Sequence, residues 1–228
     1  MAVVLITGAN RGIGLALVKA YAGRRDKVIA TIRATSDRHE LDEAVKAAPK
    51  WIEVIEMDVA DPAEIGRARR RLEAEPIDVL INNAGIGGPE RQSATDMDFD
   101  GLIDTLNVNT IAPLRVANAF LPNVKAAKGK IITLSSQMGQ VQSASSDSLA
   151  YRVSKAAVNK LMRGLATELK PMGIPVLIVH PGWVKTDLGG PEAPMELVDG
   201  ARTSVWLATL DDKGPSGGYF HMMVHMRW

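Results

Sequence analysis

Cysteine is absent from this 228-residue chain. That excludes disulfides, thiolate nucleophiles and cysteine-ligated zinc, and it fits a reducing compartment, with the cytoplasm as the expected location. Histidine is scarce, at four residues, and His180, His221 and His225 have no acidic companion at ligand spacing, so no metal site is expected. Neither sign of charge dominates: 27 basic and 26 acidic side chains leave a net charge of +1, which offers no footprint for nucleic acid. Long apolar runs are missing too. No stretch reaches the ~18 residues of a membrane span, and the apolar start Met1–Ile6 runs into Thr7-Gly8 without a basic flank, so neither a span nor a cleaved leader is expected. No linker, repeat or composition break divides the chain. A fold of this size buries about 70% of its unfolded surface, and residues 1–228 read as one domain.

What the chain does have is alternation. Short apolar runs at Val3–Ile6, Lys27–Ile32, Trp51–Met57, Val79–Ile81, Lys130–Leu134, Pro175–Val179 and Gly218–His221 are separated by helical patterns at Gly12–Ala22, Arg38–Ala48, Pro62–Glu75, Phe99–Ala126, Ala150–Lys170 and Met195–Leu210. Runs such as Val-Leu-Ile suit a parallel strand buried on both faces. Strands regularly separated by helices predict βαβ units, hence an α/β fold with a doubly wound parallel sheet of about seven strands and helices on both sides.

The first strand ends in Thr7-Gly8-Ala9-Asn10-Arg11-Gly12-Ile13-Gly14, with a helix starting inside the turn. Free backbone N–H groups and the positive end of the helix dipole make this an anion site for a dinucleotide pyrophosphate. Gly8 permits the tight turn, Gly12 the approach of phosphate, and Gly14 close helix–strand packing. A ligand-free βα turn uses the same glycines, but this one follows the first strand of a long α/β pattern, where dinucleotide sites sit. At the end of the second strand stands Arg33, where NAD-binding folds usually carry an acid. Arg33 and Arg11 together suit a 2′-phosphate, so NADP(H) is expected over NAD(H).

Further on, Tyr151 and Lys155 lie four residues apart in a predicted helix, roughly 6 Å along its axis and on one face. A phenol titrates near ~10. A fixed cation beside it should lower that value and make the tyrosine a usable acid and base.

These pieces, in this order, resemble the short-chain dehydrogenase/reductase family over nearly the whole chain. The glycine turn matches its cofactor loop, Asp58-Val59 its adenine-side pair, and Asn82-Asn83-Ala84-Gly85 the motif after its fourth strand. Asn109 matches the asparagine of its long fourth helix, Ser136 the serine after its fifth strand, and Pro181-Gly182 with Val184 and Thr186 its nicotinamide segment. The resemblance implies a single-domain Rossmann fold with strand order 3-2-1-4-5-6-7. It also implies hydride transfer between NADP(H) and a small carbonyl or alcohol substrate. In that scheme Tyr151 is the general acid/base, Ser136 holds the substrate oxygen, and a protonated Lys155 tunes Tyr151 and holds the ribose. Asn109 anchors a water that relays protons. Ser135 competes with Ser136 for its role, and the pattern Ser135-Ser136-Gln137-Met138-Gly139 favours Ser136.

A narrower resemblance, in Tyr151 to Asn159, His180 to Asp187 and the terminal Trp228, is to the branch holding C-factor and the sniffer carbonyl reductases. It admits an alternative in which the chain senses NADP and signals through a partner. Two departures stand out. Only eight residues, Asp187 to Pro194, separate Thr186 from the next helix, too few and too rich in Gly and Pro for a helical flap, so an open pocket is expected. The branch's terminal Asp-Gly turn and final Pro are also missing, and Met222, Met223 and Met226 read as packing residues. Family habit makes a homodimer or homotetramer through the two long helices the expected assembly, with Leu161, Met162 and Leu165 serving core or interface.

Overall fold

The computed structural model describes residues 1–211 and 214–228. Its elements run β1 (Val3–Thr7), α1 (Gly12–Gly23), β2 (Lys27–Ile32), α2 (His39–Ala47), β3 (Ile52–Glu56), α3 (Pro62–Arg71) and β4 (Val79–Asn82). Then come α4 (Phe99–Leu106), α5 (Ala112–Ala127), β5 (Lys130–Leu134), α6 (Leu149–Leu169), β6 (Val176–Val179), α7 (Leu197–Thr209), β7 (Tyr219–His221) and β8 (Val224–Met226). All eight strands join one sheet in the order β3-β2-β1-β4-β5-β6-β7-β8. The expected order holds through the seventh strand, and an antiparallel eighth extends it.

Strand residues alternate between two apolar layers. Leu5, Ile29, Leu80, Ile131 and Ile178 face a core closed by Ile65 of α3, Phe120 of α5 and Met162 of α6. Val4, Ile6, Val28, Ile81, Ile132 and Val179 face a second core closed by Leu17 of α1, Leu41 of α2 and Leu207 of α7. Successive side chains of a strand point to opposite faces, so a sheet covered on both sides requires continuous apolar runs. From β1 the chain winds outward through β2 and β3, then crosses back and winds the other way through β4, β5 and β6. That reversal opens a crevice between the C-terminal ends of β1 and β4.

The predicted helix Phe99–Ala126 is broken by a π turn at Asn107–Ile111. Pro113 explains the break, since it has no N–H to give the carbonyl of Asn109 four residues back. α3 also stops at Arg71 instead of running to Glu75.

The missing Asp-Gly turn is made by two methionines. Met222 and Met223 connect β7 to β8 with φ of +48° and +64°, the left-handed pair that a two-residue hairpin loop needs. They are 62% and 42% exposed, so they form a turn and do not pack, while Met226 packs on the core. The hairpin is held by its side chains: Trp228 stacks on Tyr219 at 5.3 Å between centroids, and His225 meets Phe220 edge-on at 5.4 Å. Left-handed backbone costs a non-glycine residue about 1 kcal/mol or more. Replacing Met222-Met223 with Asn-Gly should therefore raise unfolding stability by about 1 kcal/mol, read as a higher urea midpoint with an unchanged m-value.

Candidate active site

At the crevice, the ends of β1 and β4 are tied by one hydroxyl and one amide. Thr7 Oγ1 accepts from the backbone N–H groups of Asn83 (3.0 Å) and Ala84 (3.1 Å), and Asn83 Nδ2 donates to the carbonyls of Thr7 (2.8 Å) and Gly8 (2.9 Å). The glycine turn is shaped by these contacts. A Cβ on Gly14 would lie 2.2 Å from the Gly8 carbonyl oxygen, and one on Gly8, where φ is +64°, would lie 2.9 Å from Ala84 Cα. A Cβ on Gly12, where φ is +56°, would lie 3.4 Å from the Thr186 methyl. Arg11 stands at the N-cap of α1 and provides no side-chain cap, leaving the first-turn N–H groups to an external anion. Ile13 is half-buried, facing Gly200 of α7. An uncapped helix start, a floor without side chains and the crevice position together fit a dinucleotide phosphate.

The remaining cofactor candidates surround this turn. Asn10 donates to the Asp37 carbonyl at 2.9 Å, and Arg33 lies exposed where β2 ends. Asp58 Oδ1 accepts from Ala60 N at 2.8 Å, beside the buried Val59. Past β6, Pro181 is half-buried and Gly182 adopts φ +97°. Val184 is buried and bridges Met195, and Thr186 Oγ1 accepts from Gly189 N at 2.9 Å. Residues 187–194 form turns, with no helix over the crevice.

The four catalytic candidates arrive from three elements. Ser136, which follows β5, accepts from Met138 N at 3.2 Å through its Oγ and stands close enough to the Tyr151 hydroxyl to favour its ionised form. Ser135 is engaged elsewhere, with its Oγ 2.5 Å from Asn159 Oδ1 and 3.4 Å from the Lys155 carbonyl. Lys155 Nζ donates to the Leu134 carbonyl at 3.2 Å and lies 5.5 Å from the Tyr151 ring centroid. Gly85 lies between this ammonium and Asn109: a Cβ there would press on Asn109 Oδ1 at 3.2 Å and touch Lys155 Nζ at 3.6 Å. Asn109 spends its amide on structure: Oδ1 accepts from Ile86 N (2.8 Å), and Nδ2 donates to the Ile86 carbonyl (2.8 Å) and Ser154 Oγ (3.0 Å).

Three residues that hold this arrangement had no role in the sequence reading. Ser154 links Asn109 to the Tyr151 carbonyl, to which it donates at 2.7 Å. Asn159 occupies Ser135; it stands one turn beyond Lys155 and ends the stretch that carries the narrower resemblance, but neither signal gave it a role. Gln92 accepts from Tyr151 N at 3.2 Å through Oε1 and donates to the Pro89 carbonyl at 2.8 Å through Nε2. It thereby pins the loop after β4 to the start of α6, where Ser148 provides no cap. Nothing local marks Gln92 as a brace for α6, because the Tyr151 backbone it meets is 59 residues away in sequence.

The electrostatics reverse one expectation. Burial pushes the Tyr151 phenol up, and the nearby Ser136 hydroxyl only partly offsets it; the neighbouring cation does not set the direction. Burial also holds Lys155 down to about 8 from 10.5. His180 is held down to about 4 by burial and by His221, whose ring packs 4.5 Å away, so at neutral pH it is an uncharged structural residue. Among the described residues no cluster of His, Asp and Glu has metal-binding geometry, and no helix is long and apolar enough to cross a membrane.

The Lys155 value has a thermodynamic consequence. Between pH 8 and 10.5 the unfolded chain binds this proton and the folded one does not, so this group makes folding more favourable as pH rises through that window. A Lys155→Met variant lacks the effect. Its stability advantage over the wild type should shrink by up to about 3 kcal/mol between pH 7 and pH 10.5, measured by urea denaturation of both proteins.

Comparison with known proteins places this geometry. The family model for short chain dehydrogenases matches residues 2–197. The C-signal protein of Myxococcus xanthus is 39% identical over 150 residues, covering 64% of this chain and 88% of that protein. Among solved structures, carbonyl reductase Sniffer of D. melanogaster superposes with a TM-score of 0.87 at 32% identity, covering 96% of each chain. The NADPH-bound carbonyl reductase from chicken fatty liver superposes at 0.89 with 31% identity, covering 100% of this chain and 99% of that one. Both the broad and the narrow resemblance are thus found. An eight-stranded Rossmann-like sheet, a glycine turn at its switch point and a family match over most of the sequence lead to one conclusion: the chain belongs to the short-chain dehydrogenase/reductase family of oxidoreductases.

Proposed function

We propose that the protein is an NADPH-dependent carbonyl reductase in which Tyr151 is the general acid/base. The observation that carries this reading is the grouping of Tyr151 with the buried Lys155 ammonium, 5.5 Å from its ring centroid, and with Ser136 beside the phenol, at the same sheet edge as the uncapped glycine turn. Gly8, Gly12, Gly14 and the first turn of α1 would hold the pyrophosphate, with Arg11 and Arg33 serving the 2′-phosphate. Asp58 and Val59 serve the adenine side, Asn83, Ala84 and Gly85 the wall, and Pro181, Gly182, Val184 and Thr186 the nicotinamide end. The bound nicotinamide supplies hydride chemistry. Residues 1–228 act as one unit containing both halves of the site.

Within that unit, Tyr151 gives its proton to the substrate oxygen as negative charge develops there, and Ser136 donates a hydrogen bond to the same atom. Lys155, charged at neutral pH, stabilises the phenolate left behind. Burial holds Tyr151 in its neutral, acid form until that proton is given. Both amide N–H donors of Asn109 are committed, to Ile86 and Ser154, so the relay water is assigned to its backbone carbonyl, which Pro113 cannot engage. The bonds of Asn109 to Ile86 and Ser154 then fix where that carbonyl points.

The C-signal identity favours a second reading, a signalling or NADP-sensing protein acting through a partner. A panel of aldehydes, diketones and quinones with NADPH separates the two. The reductase reading expects NADPH oxidation by at least one panel member. It also expects Tyr151→Phe to lose about 10²–10⁴-fold in kcat, with NADPH affinity within about twofold by calorimetry. Wild-type turnover in that variant would defeat the Tyr151 assignment, and binding without oxidation across the panel would favour the second reading.

For assembly we propose a homodimer through α4 and α6. Phe99 and Ile103, one turn apart on α4, are 71% and 62% exposed, and Val153 on α6 is 48% exposed. Met162 and Leu165 are buried in the core and the half-buried Leu161 packs on it, which supports a core role for them. Ile103→Glu should halve the mass seen by light scattering while leaving the circular dichroism spectrum unchanged; an unaltered mass would place the interface elsewhere.

A further inference from the structure

The cleft has one guanidinium that two anions claim. Arg11 Nη1 is ion-paired with Asp187 Oδ2. The pair spans the mouth of the crevice, from the glycine turn after β1 to the turn after β6, just where a Cβ on Gly12 would lie 3.4 Å from the Thr186 methyl. Asp187 is carried on a braced turn: Gly190 N donates to the Thr186 carbonyl at 2.8 Å, Gly189 N to Thr186 Oγ1 at 2.9 Å, and Trp183 Nε1 to the Gly189 carbonyl at 2.7 Å. Arg33, the other cation assigned to the 2′-phosphate, has no ion pair among the described residues. So of the two charges meant for that phosphate, one is free and one is engaged.

We propose that Asp187 is a specificity-determining residue: it competes with the 2′-phosphate for Arg11 and thereby lowers the preference for NADP(H) over NAD(H). This inference rests on the NADPH reading above and deepens it. A cofactor without the phosphate leaves the Arg11–Asp187 pair intact, whereas one carrying it must draw Arg11 away. The apparent affinity for the phosphorylated cofactor is then the intrinsic affinity reduced by the fraction of molecules in which Arg11 is released. Both partners are solvent-exposed, at 67% and 72% of their side chains. Exposed pairs are weak, so the effect is a matter of severalfold tuning and not an on/off switch. Asp187 also repels the pyrophosphate common to both cofactors, and that part cancels in the ratio of affinities.

The test is isothermal titration of NADP⁺ and NAD⁺, at low ionic strength, onto the wild type, Asp187→Asn, Arg11→Gln and the double variant. Asp187→Asn should raise the NADP⁺/NAD⁺ affinity ratio by about two- to fivefold. Arg11→Gln should lower that ratio, and adding Asp187→Asn in its background should leave it unchanged. An equal effect of Asp187→Asn on both nucleotides would overturn the proposal. So would a fall in the ratio, since it would mean the carboxylate holds Arg11 in place for the phosphate. If Arg11→Gln alone leaves the ratio at its wild-type value, the assignment of Arg11 to the 2′-phosphate fails and takes the competition with it. If neither nucleotide binds the wild type, the proposed function itself fails.

Discussion

A parallel sheet covered on both faces leaves its polar chemistry one place to go. Both layers over the sheet are filled by apolar side chains, from Ile65, Phe120 and Met162 on one side to Leu17, Leu41 and Leu207 on the other. Every parallel strand runs the same way, so the segments that leave the strands emerge along a single edge. That is why the glycine turn, Asp58, Asn83, Ser136 and Thr186, spread over most of the chain, end as neighbours. The tie between Thr7 and Asn83 is the local expression of this constraint, joining the two strands between which the winding reverses.

The catalytic candidates depend on a second close approach. Gly139 lets the short turn after Ser136 lie directly on α6, because a Cβ there would come within 2.7 Å of the Lys155 carbonyl carbon. With the turn seated, Ser136 reaches Tyr151, while Ser135 is drawn away to Asn159. On the far side, the π turn and Pro113 rotate Asn109 so that its amide grips Ile86 and Ser154. The buried ammonium of Lys155 sits among these contacts with the Leu134 carbonyl as its acceptor. Burial lowers the proton affinity of the ammonium and, acting on the phenol itself, raises that of Tyr151, so the pair is poised as a neutral acid beside a cation that holds its charge with less margin than an exposed lysine.

The open crevice follows from the chain beyond β6. Eight residues between Thr186 and Met195 make turns braced by Trp183 and Thr186, and they bring Asp187 over the glycine turn instead of covering it with a helix. The C-terminal hairpin closes the other end of the sheet with aromatic stacking in place of a favourable turn sequence.

The order of strands and helices was legible because burial on both faces writes itself as continuous apolar runs, and the glycine turn because backbone geometry there tolerates only glycine. The spacing of Tyr151 and Lys155 was legible because a helix places them on one face. Less could be read where the outcome depends on balance or on distant partners. β8 is three residues long, and its Met222-Met223 loop lacks any turn signal. Gln92 bonds to a backbone 59 residues away. The sign of the Tyr151 shift is set by how deeply the folded chain encloses the phenol, a quantity that spacing does not contain. The sequence by itself therefore determined the α/β winding, the glycine turn and the identity of the polar residues at the edge, since local periodicity and backbone sterics dictate them. Only the tertiary structure decided which serine meets the tyrosine, which partner Arg11 takes and how burial divides protons between Tyr151 and Lys155, because each of these depends on distances between segments that meet only in the folded chain.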